Sequence, residues 1–515
     1  MAGELSTRGA IVIVGFMGAG KTTAARALAR ARGSSALDAD SLIEERLGTT
    51  ITQAFARDGE PAFRAVEETV VGDLLDRASA GEIISLSGGA IGSERVRAAL
   101  RRHLVVWLDV GLAVAWRRSA GDKRPLARNR AAFEALYNER VPLYESVADA
   151  IVPGGARHAV PGAYDALEEL RRAPAGTRLL WAISPSAEYP VWVGRGVLGA
   201  GVWPIVRGPS RRFLIADEQV APLLAERLGE VDGQLLIQGG EANKTIASAE
   251  QIWRGLALSG AARTDHLVAL GGGVVGDLAG FAAATYQRGV PVVQIPTTLV
   301  AQVDSAYGGK TGVDLPEAKN YVGAFHQPAG VLVDPAALDT LPAAELSAGY
   351  AEVLKTALIA GGALWEQVAA DAPLDERMIV DCIRCKLAVV AADEHDGGLR
   401  QVLNLGHTVG HAIEAATHYT RYRHGEAVAL GLLVALRLSG QAELREQVSE
   451  LLAAHGLPTQ ASELEAAAVL AATKLDKKRG PQGVALVLVE APGRVRYGAA
   501  IADADLERAV REVLV

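Results

Sequence analysis

The sequence predicts an α/β protein in two parts: a front part with a parallel sheet, and a rear part whose α/β half precedes a helical half. Three observations support this. At 515 residues the chain exceeds the roughly 100 to 200 residues of one ordinary domain. One glycine-rich loop follows an apolar run near the front, and another follows such a run in the rear part. We expect domains at residues 1–172, 179–342 and 343–515, with a linker at residues 173–178.

Apolar runs that alternate with helical stretches predict the strands of both sheets. They occupy residues 10–14, 83–86 and 104–108 in the front part, and 213–216, 234–238, 266–270 and 292–295 in the rear part. Between the parts, Arg-Arg-Ala-Pro-Ala-Gly-Thr at residues 171–177 is typical of a linker. After Ala343, Ala and Leu recur every three or four residues, which predicts a helical half.

The composition narrows the class of protein. A net charge of −8 argues against a general nucleic-acid or membrane surface, and no apolar run reaches the roughly 18 residues that span a bilayer. The polar N-terminus does not resemble a signal peptide. Cys382 and Cys385 are the only cysteines, and we interpret this Cys-x-x-Cys pair as structural rather than redox-active or metal-binding. We therefore expect a cytoplasmic protein that acts on small molecules.

Residues 15–22 read Gly-Phe-Met-Gly-Ala-Gly-Lys-Thr between a predicted strand and a predicted helix, which is the setting of a phosphate-binding P-loop. Backbone N–H groups would surround the phosphates of ATP, Lys21 would reach the outer phosphates, and Thr22 would offer its hydroxyl to Mg²⁺. A glycine-rich turn without a ligand is the alternative, which the flanking strand and helix disfavour. The residues assigned to ATP in this loop are Gly15, Gly18, Ala19, Gly20, Lys21, Thr22 and Thr23.

Acidic residues, arginines and glycines beyond the P-loop help to identify the phosphoryl acceptor, and they are Asp38, Asp40, Arg64, Gly88, Gly89, Arg124 and Arg140. In this order and spacing, together with the P-loop, they make the front part resemble shikimate kinase, a P-loop kinase. The resemblance implies that Asp40, Arg64, Gly88, Gly89 and Arg140 bind shikimate, with the two arginines on its carboxylate. It also implies that Asp40 orients or deprotonates the attacking hydroxyl, that Arg124 covers the ATP phosphates, and that Asp38 helps to place Mg²⁺. Ser87 departs from the family, which usually has a glycine there.

The residues of the rear part suggest three kinds of chemistry. Gly-x-Gly-x-x-Gly within residues 271–277 indicates a dinucleotide site, but weakly, because no acidic residue follows about 20 positions later. His407, His411, His424 and Glu352 offer the donor types of catalytic zinc, although any one histidine could belong to the core. Only ten of the 52 basic residues are lysines, and several of these lie in the rear part, which favours an anionic substrate.

With these residues in place, the chain from about residue 178 to residue 515 resembles 3-dehydroquinate synthase. The segments that carry the resemblance are residues 240–245, 271–277, 296–304, 308–311, 318–320, 351–355, 403–408 and 476–478. So many segments in register make it specific. It implies an NAD-binding α/β half and a helical, metal-binding half.

The same resemblance implies the roles of individual residues. Zn²⁺ (or Co²⁺) would be held by Glu352, His407 and His424. NAD would be held by Asp217, Glu241, Lys244, Gly272, Gly273, Val274, Asp277, Thr297, Thr298, Asp304, Lys310, Lys319 and Thr340. The heptulosonate phosphate would contact Lys310, Asn320, Lys386, Arg400, His411, one of Lys477 and Lys478, and Arg288 from a neighbouring subunit. The catalytic residues would be Lys310, Lys355, Lys386, Arg400, Asn404 and His411 in the rear part, and Lys21 and Asp40 in the front part.

Together the two resemblances imply a bifunctional enzyme of the shikimate pathway. It would phosphorylate shikimate with ATP, and convert 3-deoxy-D-arabino-heptulosonate 7-phosphate into 3-dehydroquinate and phosphate with NAD that is not consumed. A homodimer through the rear part is also implied. Related sugar-phosphate cyclases and NAD-linked polyol dehydrogenases are alternatives for the rear part, and a degenerate binding module is an alternative for either part. Because other reactions separate the two steps, we expect independent halves, even when split near Pro174.

Overall fold

The computed structural model describes residues 8–119, 129–156, 158–204, 206, 210–473, 479–480 and 483–514. The chain folds into two compact units. The first comprises Met1–Ile183 and Glu188–Ile205, and the second comprises Ser184–Ala187 and Val206–Val515.

The sheet of the first unit has seven strands in the order β2-β3-β1-β4-β5-β6-β7. Its strands are β1 (Ile11–Val14), β2 (Ala36–Asp38), β3 (Ile83–Ser85), β4 (Leu104–Asp109), β5 (Ala150–Pro153), β6 (Arg178–Ile183) and β7 (Glu188–Val193). All neighbours pair in parallel except β6 and β7, which form an antiparallel hairpin. The strands predicted at residues 10–14, 83–86 and 104–108 are confirmed as β1, β3 and β4.

Eight α-helices surround this sheet in the described residues of the first unit. They are α1 (Lys21–Ala31), α2 (Ala39–Leu47), α3 (Ile51–Arg77), α4 (Glu94–Leu100), α5 (Leu112–Ser119), α6 (Arg130–Val147), α7 (Ala159–Gly162) and α8 (Tyr164–Leu170). Short 3₁₀ helices cover Ala90–Gly92 and Val197–Gly199. Helix α3 is kinked at Gly59, which has a φ of 79° and is followed closely by Pro61. The kink precedes Arg64 and so sets the direction of the segment that carries it.

The second unit contains a five-stranded parallel sheet in the order β14-β11-β10-β8-β9. Its strands are β8 (Arg212–Asp217), β9 (Gly233–Ile237), β10 (His266–Gly271), β11 (Val292–Pro296) and β14 (Gly330–Val333). The four strands that the sequence predicts here are confirmed. Beside the sheet, β12 (Lys310–Leu315) and β13 (Ala318–Phe325) form an antiparallel hairpin.

The helices of the second unit mostly follow this sheet, as predicted. They are α9 (Ala221–Leu224), α10 (Ile246–Leu258), α11 (Gly273–Thr285), α12 (Ala343–Ala360), α13 (Gly362–Ala369), α14 (Glu376–Ala392), α15 (His407–Ala416), α16 (His424–Leu438), α17 (Ala442–Ala454), α18 (Ala466–Thr473) and α19 (Asp503–Arg511). The 3₁₀ helices are Ala225–Leu228, Glu241–Asn243, Tyr286–Arg288, Pro335–Thr340 and Leu399–Asn404, and Ala301–Ser305 is a π-helix.

The helical half also contains strands that the sequence analysis missed. They are β15 (Arg479–Gly480), β16 (Gly483–Ala491) and β17 (Arg494–Ile501), which form an antiparallel sheet. The β-branched run Val-Ala-Leu-Val-Leu-Val at residues 484–489 is the signal that could have predicted β16.

The boundary between the two compact units along the chain does not lie at the expected linker. Strand β6 begins at Arg178, pairs in parallel with β5, and belongs with β7 to the first unit. The rear domain was expected to begin at residue 179, so the boundary between the compact units lies later than residues 173–178. Composition identifies the linker-like segment at residues 171–177. It does not predict that β6, the strand after this segment, pairs with β5.

Burial explains why these elements form. Phe213 and Ile215 of β8 alternate with Leu214 on the opposite face, and they share a buried cluster with Leu256 of α10 and Leu278 of α11. Each large apolar side chain buried in this way contributes about 1.5 to 3 kcal/mol. Within the described residues, no helix combines the length and hydropathy that a membrane crossing requires.

Candidate active sites

The predicted P-loop connects β1 to α1. Its glycines Gly15, Gly18 and Gly20 have φ values of 149, 80 and 93°, a region that other residues rarely adopt. A Cβ at Gly15 would lie 2.8 Å from the oxygen of Leu108. Lys21, the first residue of α1, donates from Nζ to the oxygen of Gly15 at 2.9 Å. The loop therefore has the curled backbone and the lysine position that suit phosphate binding.

The predicted acceptor residues converge beside the loop after β3. A Cβ at Gly89 would collide with the guanidinium of Arg64, and a Cβ at Gly88 would lie 3.5 Å from Lys21 Nζ. Arg140 is 7% exposed and donates from Nη1 to the oxygen of Gly88 at 3.2 Å. Burial disfavours the charged form of the Arg140 guanidinium and so lowers its pKa. An anionic ligand would offset this cost of burying the charge. The structure thus gathers two arginines and two glycines next to the P-loop.

Two residues that the sequence analysis missed adjoin this site. Glu67 accepts from Arg64 Nη1 at 2.5 Å with Oε2, and from Ser87 Oγ at 2.6 Å with Oε1. Ser87, which stands where the family usually has glycine, therefore donates to the same carboxylate that binds Arg64. Arg118 donates from Nη1 to the oxygen of Gly18 at 3.4 Å, beside the P-loop. Glu67 lies one helical turn after Arg64, and that spacing was an available signal.

The two predicted acidic residues lie at the end of β2, where Asp38 is the last residue of the strand and Asp40 follows in α2. Asp38 caps α2 by accepting from the N–H of Asp40 at 3.1 Å, and Asp40 is exposed in the first turn of that helix. Thr22 Oγ1 lies 3.3 Å from Ser85 Oγ at the end of β3. Because β1, β2 and β3 are parallel neighbours, their carboxyl ends share one edge of the sheet. The predicted lid residue Arg124 lies outside the described residues.

In the second unit, the three predicted zinc ligands come together from α12, α15 and α16. Glu352 Oε1 lies 3.5 Å from His407 Nε2 and 3.3 Å from His424 Nε2. This oxygen is buried and makes no hydrogen bond within the described part of the chain. A carboxylate oxygen between two imidazole nitrogens is a donor set that zinc accepts, so these residues fit a divalent metal.

The electrostatics favour the ligand forms of two of these residues. Burial would raise the pKa of Glu352, but Lys355 and His407 lower it to about 2. Burial is the main cause that lowers the pKa of His407 well below its ordinary value. Against burial, Glu352 and Glu414 raise the pKa of His424 to about 10, so metal binding there would displace a proton.

Asp304 joins two predicted lysines beside this cluster. Its Oδ2 accepts from Lys355 Nζ at 2.8 Å, and its Oδ1 contacts Lys386 Nζ. Lys355 also forms an ion pair with Glu352. Burial would raise the pKa of Asp304, but the two lysines lower it well below its ordinary value. Cations and carboxylates thus alternate from the metal cluster to Lys386, so each of these charges has an opposite charge beside it.

Two further predicted cations lie on segments near Gly308. Arg400 is 1% exposed and donates to the backbone oxygens of Glu394 and of Gly308, the latter at 2.9 Å. Gly308 has a φ of 81°, and a Cβ there would lie 2.7 Å from Arg400 Nη2. Lys310 pairs with Asp396 at 2.7 Å, a partner that the sequence analysis missed.

The glycine-rich turn after β10 forms the N-terminus of α11. A Cβ at Gly272 would lie 2.9 Å from Thr298 Cγ2, so glycine allows close packing there. The hydroxyl of Thr297 is buried and has no hydrogen-bond partner among the described residues. Lys244 Nζ pairs with Asp277 Oδ2 at 2.5 Å. A helix N-terminus, an unsatisfied hydroxyl and a buried cation suit a dinucleotide phosphate. The remaining turn residues assigned to NAD, Gly273 and Val274, open α11.

The β12–β13 hairpin adds the predicted Lys319 and Asn320 to this region. Asn320 Oδ1 accepts from Lys244 Nζ at 2.6 Å, and its N–H donates to Asp314 Oδ1 at 2.7 Å. Lys319 Nζ lies 3.2 Å from Glu241 Oε1. Residues predicted for NAD and for the substrate therefore share one polar network.

Other predicted residues lie at element ends or on the surface. Asp217 ends β8, and a Cβ at Gly239 would collide with its carboxylate. Asn404 ends a 3₁₀ helix and is separated by two residues from the start of α15 at His407, and His411 is exposed on α15. The predicted residues that are exposed on other segments are Arg288 and Thr340, and those outside the described residues are Lys477 and Lys478.

Family models match three segments of the chain. Their descriptions are shikimate kinase for residues 17–171, 3-dehydroquinate synthase N-terminal for residues 234–348, and 3-dehydroquinate synthase C-terminal for residues 349–479. The 3-dehydroquinate synthase of Halorhodospira halophila is 43% identical over 332 residues, which are 61% of this chain and 94% of that protein. The chain belongs to the 3-dehydroquinate synthase family. Its second unit contains the segments that match this family, and its first unit contains the segment that matches shikimate kinase.

Further similarities agree with the synthase family. The 3-dehydroquinate synthase of Symbiobacterium thermophilum is 45% identical over 297 residues, 53% of this chain and 82% of that protein. The solved 2-epi-5-epi-valiolone synthase of Streptomyces hygroscopicus, with NAD⁺ and Zn²⁺ bound, is 25% identical with a TM-score of 0.59, over 64% of this chain and 98% of that chain.

A shikimate kinase from Acinetobacter baumannii in complex with shikimate is 33% identical over 32% of this chain and 94% of that chain, with a TM-score of 0.29.

The chain therefore joins a shikimate kinase to a 3-dehydroquinate synthase and is a bifunctional enzyme of the shikimate pathway. Both enzymatic activities predicted from the sequence are confirmed at this level. The roles of individual residues stay predictions.

Proposed function

We propose that the rear site converts 3-deoxy-D-arabino-heptulosonate 7-phosphate into 3-dehydroquinate and phosphate, and that the front site phosphorylates shikimate with ATP and Mg²⁺. The convergence of Glu352, His407 and His424 is the observation that carries the rear assignment. The approach of Arg64 and Arg140 to the glycines after β3 is the observation that carries the front assignment.

The rear residues suit a metal, a dinucleotide and a doubly anionic substrate. Zinc on Glu352, His407 and His424 would polarise a substrate hydroxyl, and NAD⁺ at the α11 turn would accept hydride. Lys386 and Arg400 would bind the carboxylate. The substrate phosphate would contact Lys310, Asn320, His411 and one of Lys477 and Lys478.

The rear cations pair with acidic side chains before the substrate arrives. Asp304 holds Lys355 and Lys386, and Asp396 holds Lys310. A carboxylate or phosphate of the substrate would compete with these acidic partners rather than with water. We therefore expect substrate affinity to depend strongly on salt only through the exposed Lys310 pair, because buried pairs are screened less.

In the front site, the P-loop and the arginines would bring donor and acceptor together. Lys21 would carry the outer phosphates of ATP, and Thr22 and Asp38 would hold Mg²⁺. Arg64 and Arg140 would grip the shikimate carboxylate, so that the acceptor hydroxyl lies near Asp40. Asp40 is exposed at the start of α2, where it would take the hydroxyl proton.

Assembly and location are also proposals. A homodimer through the rear part would allow Arg288, which is exposed with a φ of 68°, to reach a neighbouring subunit's site. Cys382 and Cys385 are free thiols, which supports a reducing, cytoplasmic compartment. The functional boundary at residues 173–178 is likewise proposed, although the compact units divide later.

The related sugar-phosphate cyclases are the second candidate for the rear site. The solved 2-epi-5-epi-valiolone synthase shares its fold, but the carboxylate-directed pair Lys386 and Arg400 favours an acidic substrate. Product analysis with sugar phosphates that carry a carboxylate and with sugar phosphates that lack one would separate the two.

Two single variants of the full chain test the assignment of one activity to each site. Lys21→Met should lower shikimate phosphorylation at least about 100-fold through loss of phosphate stabilisation, and leave 3-dehydroquinate formation within about twofold. Glu352→Gln should lower 3-dehydroquinate formation at least about 100-fold and leave shikimate phosphorylation within about twofold. Both activities are measured in the same preparations. Loss of both activities in either folded variant would contradict the assignment.

A further inference from the structure

Glu414 lies at the centre of a buried chain of contacts, and the sequence analysis did not select it. It is on α15, three residues after His411, and is 2% exposed. Its Oε1 accepts from Lys319 Nζ at 3.0 Å. Its Oε2 lies 3.6 Å from His424 Nδ1. One buried carboxylate therefore faces both the hairpin and the proposed metal cluster.

The two ring nitrogens of His424 face different carboxylates. Nε2 lies 3.3 Å from Glu352 Oε1, on the side of the metal cluster, and Nδ1 faces Glu414. A metal-binding imidazole almost always donates its other N–H to a carboxylate, a carbonyl or water, which fixes the tautomer and the ring orientation. Glu414 Oε2 is buried and makes no hydrogen bond within the described residues, so a proton on Nδ1 would satisfy it. This leaves Nε2 free for the metal.

The other end of the chain of contacts reaches the residues assigned to NAD. Lys319 Nζ lies 3.0 Å from Glu414 Oε1 and 3.2 Å from Glu241 Oε1. Lys319 also lies 4.4 Å from the ring centre of Tyr419. Contacts therefore run without interruption from Glu241 through Lys319 and Glu414 to His424.

We propose that Glu414 is a positioning residue that couples NAD binding to metal binding. The proposal rests on the proposed roles of the metal cluster and of Lys319. NAD that contacts Lys319 and Glu241 would hold Lys319 in place, and with it Glu414 and the ring of His424. The metal would then meet an oriented ligand, so the cost of ordering His424 is shared between the two binding events. Such coupling is reciprocal, and each ligand must raise the affinity of the other by the same factor.

The alternative role for Glu414 is direct metal binding. His411, Glu414 and His424 offer ligand atoms within 4.8 Å of one another, and so form a second possible group beside Glu352, His407 and His424. The buried Glu414 already pairs with Lys319, whereas Glu352 Oε1 lies between two imidazole nitrogens. The geometry therefore favours Glu352 as the ligand and Glu414 as its support.

The test measures zinc affinity of the full chain with a competing chromophoric chelator, in the presence and absence of NAD⁺. It also measures NAD⁺ affinity by calorimetry, with and without zinc. For the natural chain we expect each ligand to raise the affinity of the other by a common factor of about tenfold. In Glu414→Gln, zinc affinity should fall about 10- to 100-fold, and the common factor should approach one. Glu414→Asp, which keeps the charge with a shorter reach, should lie between the two.

Glu512→Gln is the matched control, because Glu512 also binds cations in the second unit, Arg437 at 2.7 Å and Arg445 at 3.1 Å. It should behave like the natural chain. A Glu414→Gln protein that keeps the full NAD-dependent factor would overturn the proposal, as would a natural chain that binds both ligands without coupling. A natural chain that binds neither ligand would instead refute the proposed function.

Cobalt spectra separate positioning from direct binding. In the cobalt-loaded chain, Glu414→Gln should keep the intensity and pattern of the visible d–d bands, because no ligand is lost. A change to the pattern of another coordination number would show that Glu414 is itself a ligand, and the positioning role would be wrong.

Discussion

Ser87 has a role that the sequence alone did not reveal. Shikimate kinases usually have glycine at this position, and the sequence analysis noted only the departure. In the structure its hydroxyl binds Glu67 at 2.6 Å, and the other oxygen of Glu67 binds Arg64 at 2.5 Å. All three side chains are at least partly buried. Ser87 therefore limits the orientations of the arginine that is proposed to bind the shikimate carboxylate.

Replacing Ser87 should weaken shikimate binding without changing the chemical step. A hydrogen bond is worth about 1 kcal/mol, so we expect Ser87→Gly to raise the KM for shikimate about two- to fivefold, with kcat unchanged. Steady-state kinetics at saturating ATP measure this. Ser93→Ala is the control, because it removes a hydrogen bond of equal length to Glu68, a carboxylate on the same helix that forms no ion pair with Arg64 among the described residues. An unchanged KM in Ser87→Gly, or an equal rise in the control, would contradict the account.

Residue types and spacing predicted much of the candidate sites, but not the partners of each residue. Glu352 and His424 are far apart in the sequence, and their donor types alone were enough to propose one cluster. Glu67, Asp396 and Glu414 were missed because their importance comes from a contact that packing creates. Their types are common on any helix or loop, so apart from the spacing of Glu67 from Arg64 nothing in the sequence distinguishes them from surface carboxylates.

At the scale of elements, the parallel strands were predictable because buried strands are continuous apolar runs. Strand β10, at the centre of the rear sheet, also contains a buried polar residue, His266, which is 2% exposed and bonds Ser210 Oγ at 2.7 Å through Nδ1. Burial, and then the nearby Arg212, lower the pKa of His266 to about 4. The strands β15 to β17 were missed because the helical period before them masked the change of pattern.

The pKa of His266 predicts how the stability of the second unit depends on pH. Above about pH 6.5, His266 is neutral in both the folded and the unfolded chain. Between about pH 6.5 and pH 4, the unfolded chain binds a proton that the folded chain excludes, so stability falls as the pH falls. From about pH 7 to about pH 5 the loss should be about 2 kcal/mol.

Denaturant unfolding of the second unit at a series of pH values measures this loss. In His266→Asn the loss of unfolding free energy from about pH 7 to about pH 5 should be smaller than in the natural chain by about 2 kcal/mol. His418→Asn, which changes an exposed histidine, should keep the slope of the natural chain. Equal slopes in His266→Asn and the natural chain would show that His266 does not carry the effect.

At the scale of the whole molecule, the two compact units correspond to two separate chemistries. Composition and motifs predicted this division, although not its position. Cutting the chain near Pro174 would separate β5 from its parallel partner β6. Such a cut would therefore test the integrity of the first sheet as well as the independence of the activities, so the intact chain is the better subject.

In the intact chain, each activity should be indifferent to the ligands of the other. Saturating shikimate and a non-hydrolysable ATP analogue should change the rate of 3-dehydroquinate formation, at both low and saturating substrate, by less than about 1.5-fold, because the two reactions are not consecutive and we expect the ligands of one to bind both states of the other equally. Saturating NAD⁺ with a non-reactive heptulosonate phosphate analogue should likewise leave shikimate phosphorylation unchanged. A consistent change of about threefold or more in either direction would mean that the units are coupled.

The most direct test of the central claim is a combined assay of the intact chain with 3-deoxy-D-arabino-heptulosonate 7-phosphate and NAD⁺, then with shikimate and ATP. Before chelation, phosphate and 3-dehydroquinate should appear in equal amounts while total NAD⁺ stays constant. After a zinc-selective chelator is added in the presence of excess Mg²⁺, this reaction should stop and be restored by zinc, while shikimate phosphorylation continues. Failure to form 3-dehydroquinate, or its continued formation after zinc is removed, would contradict the assignment of the rear site.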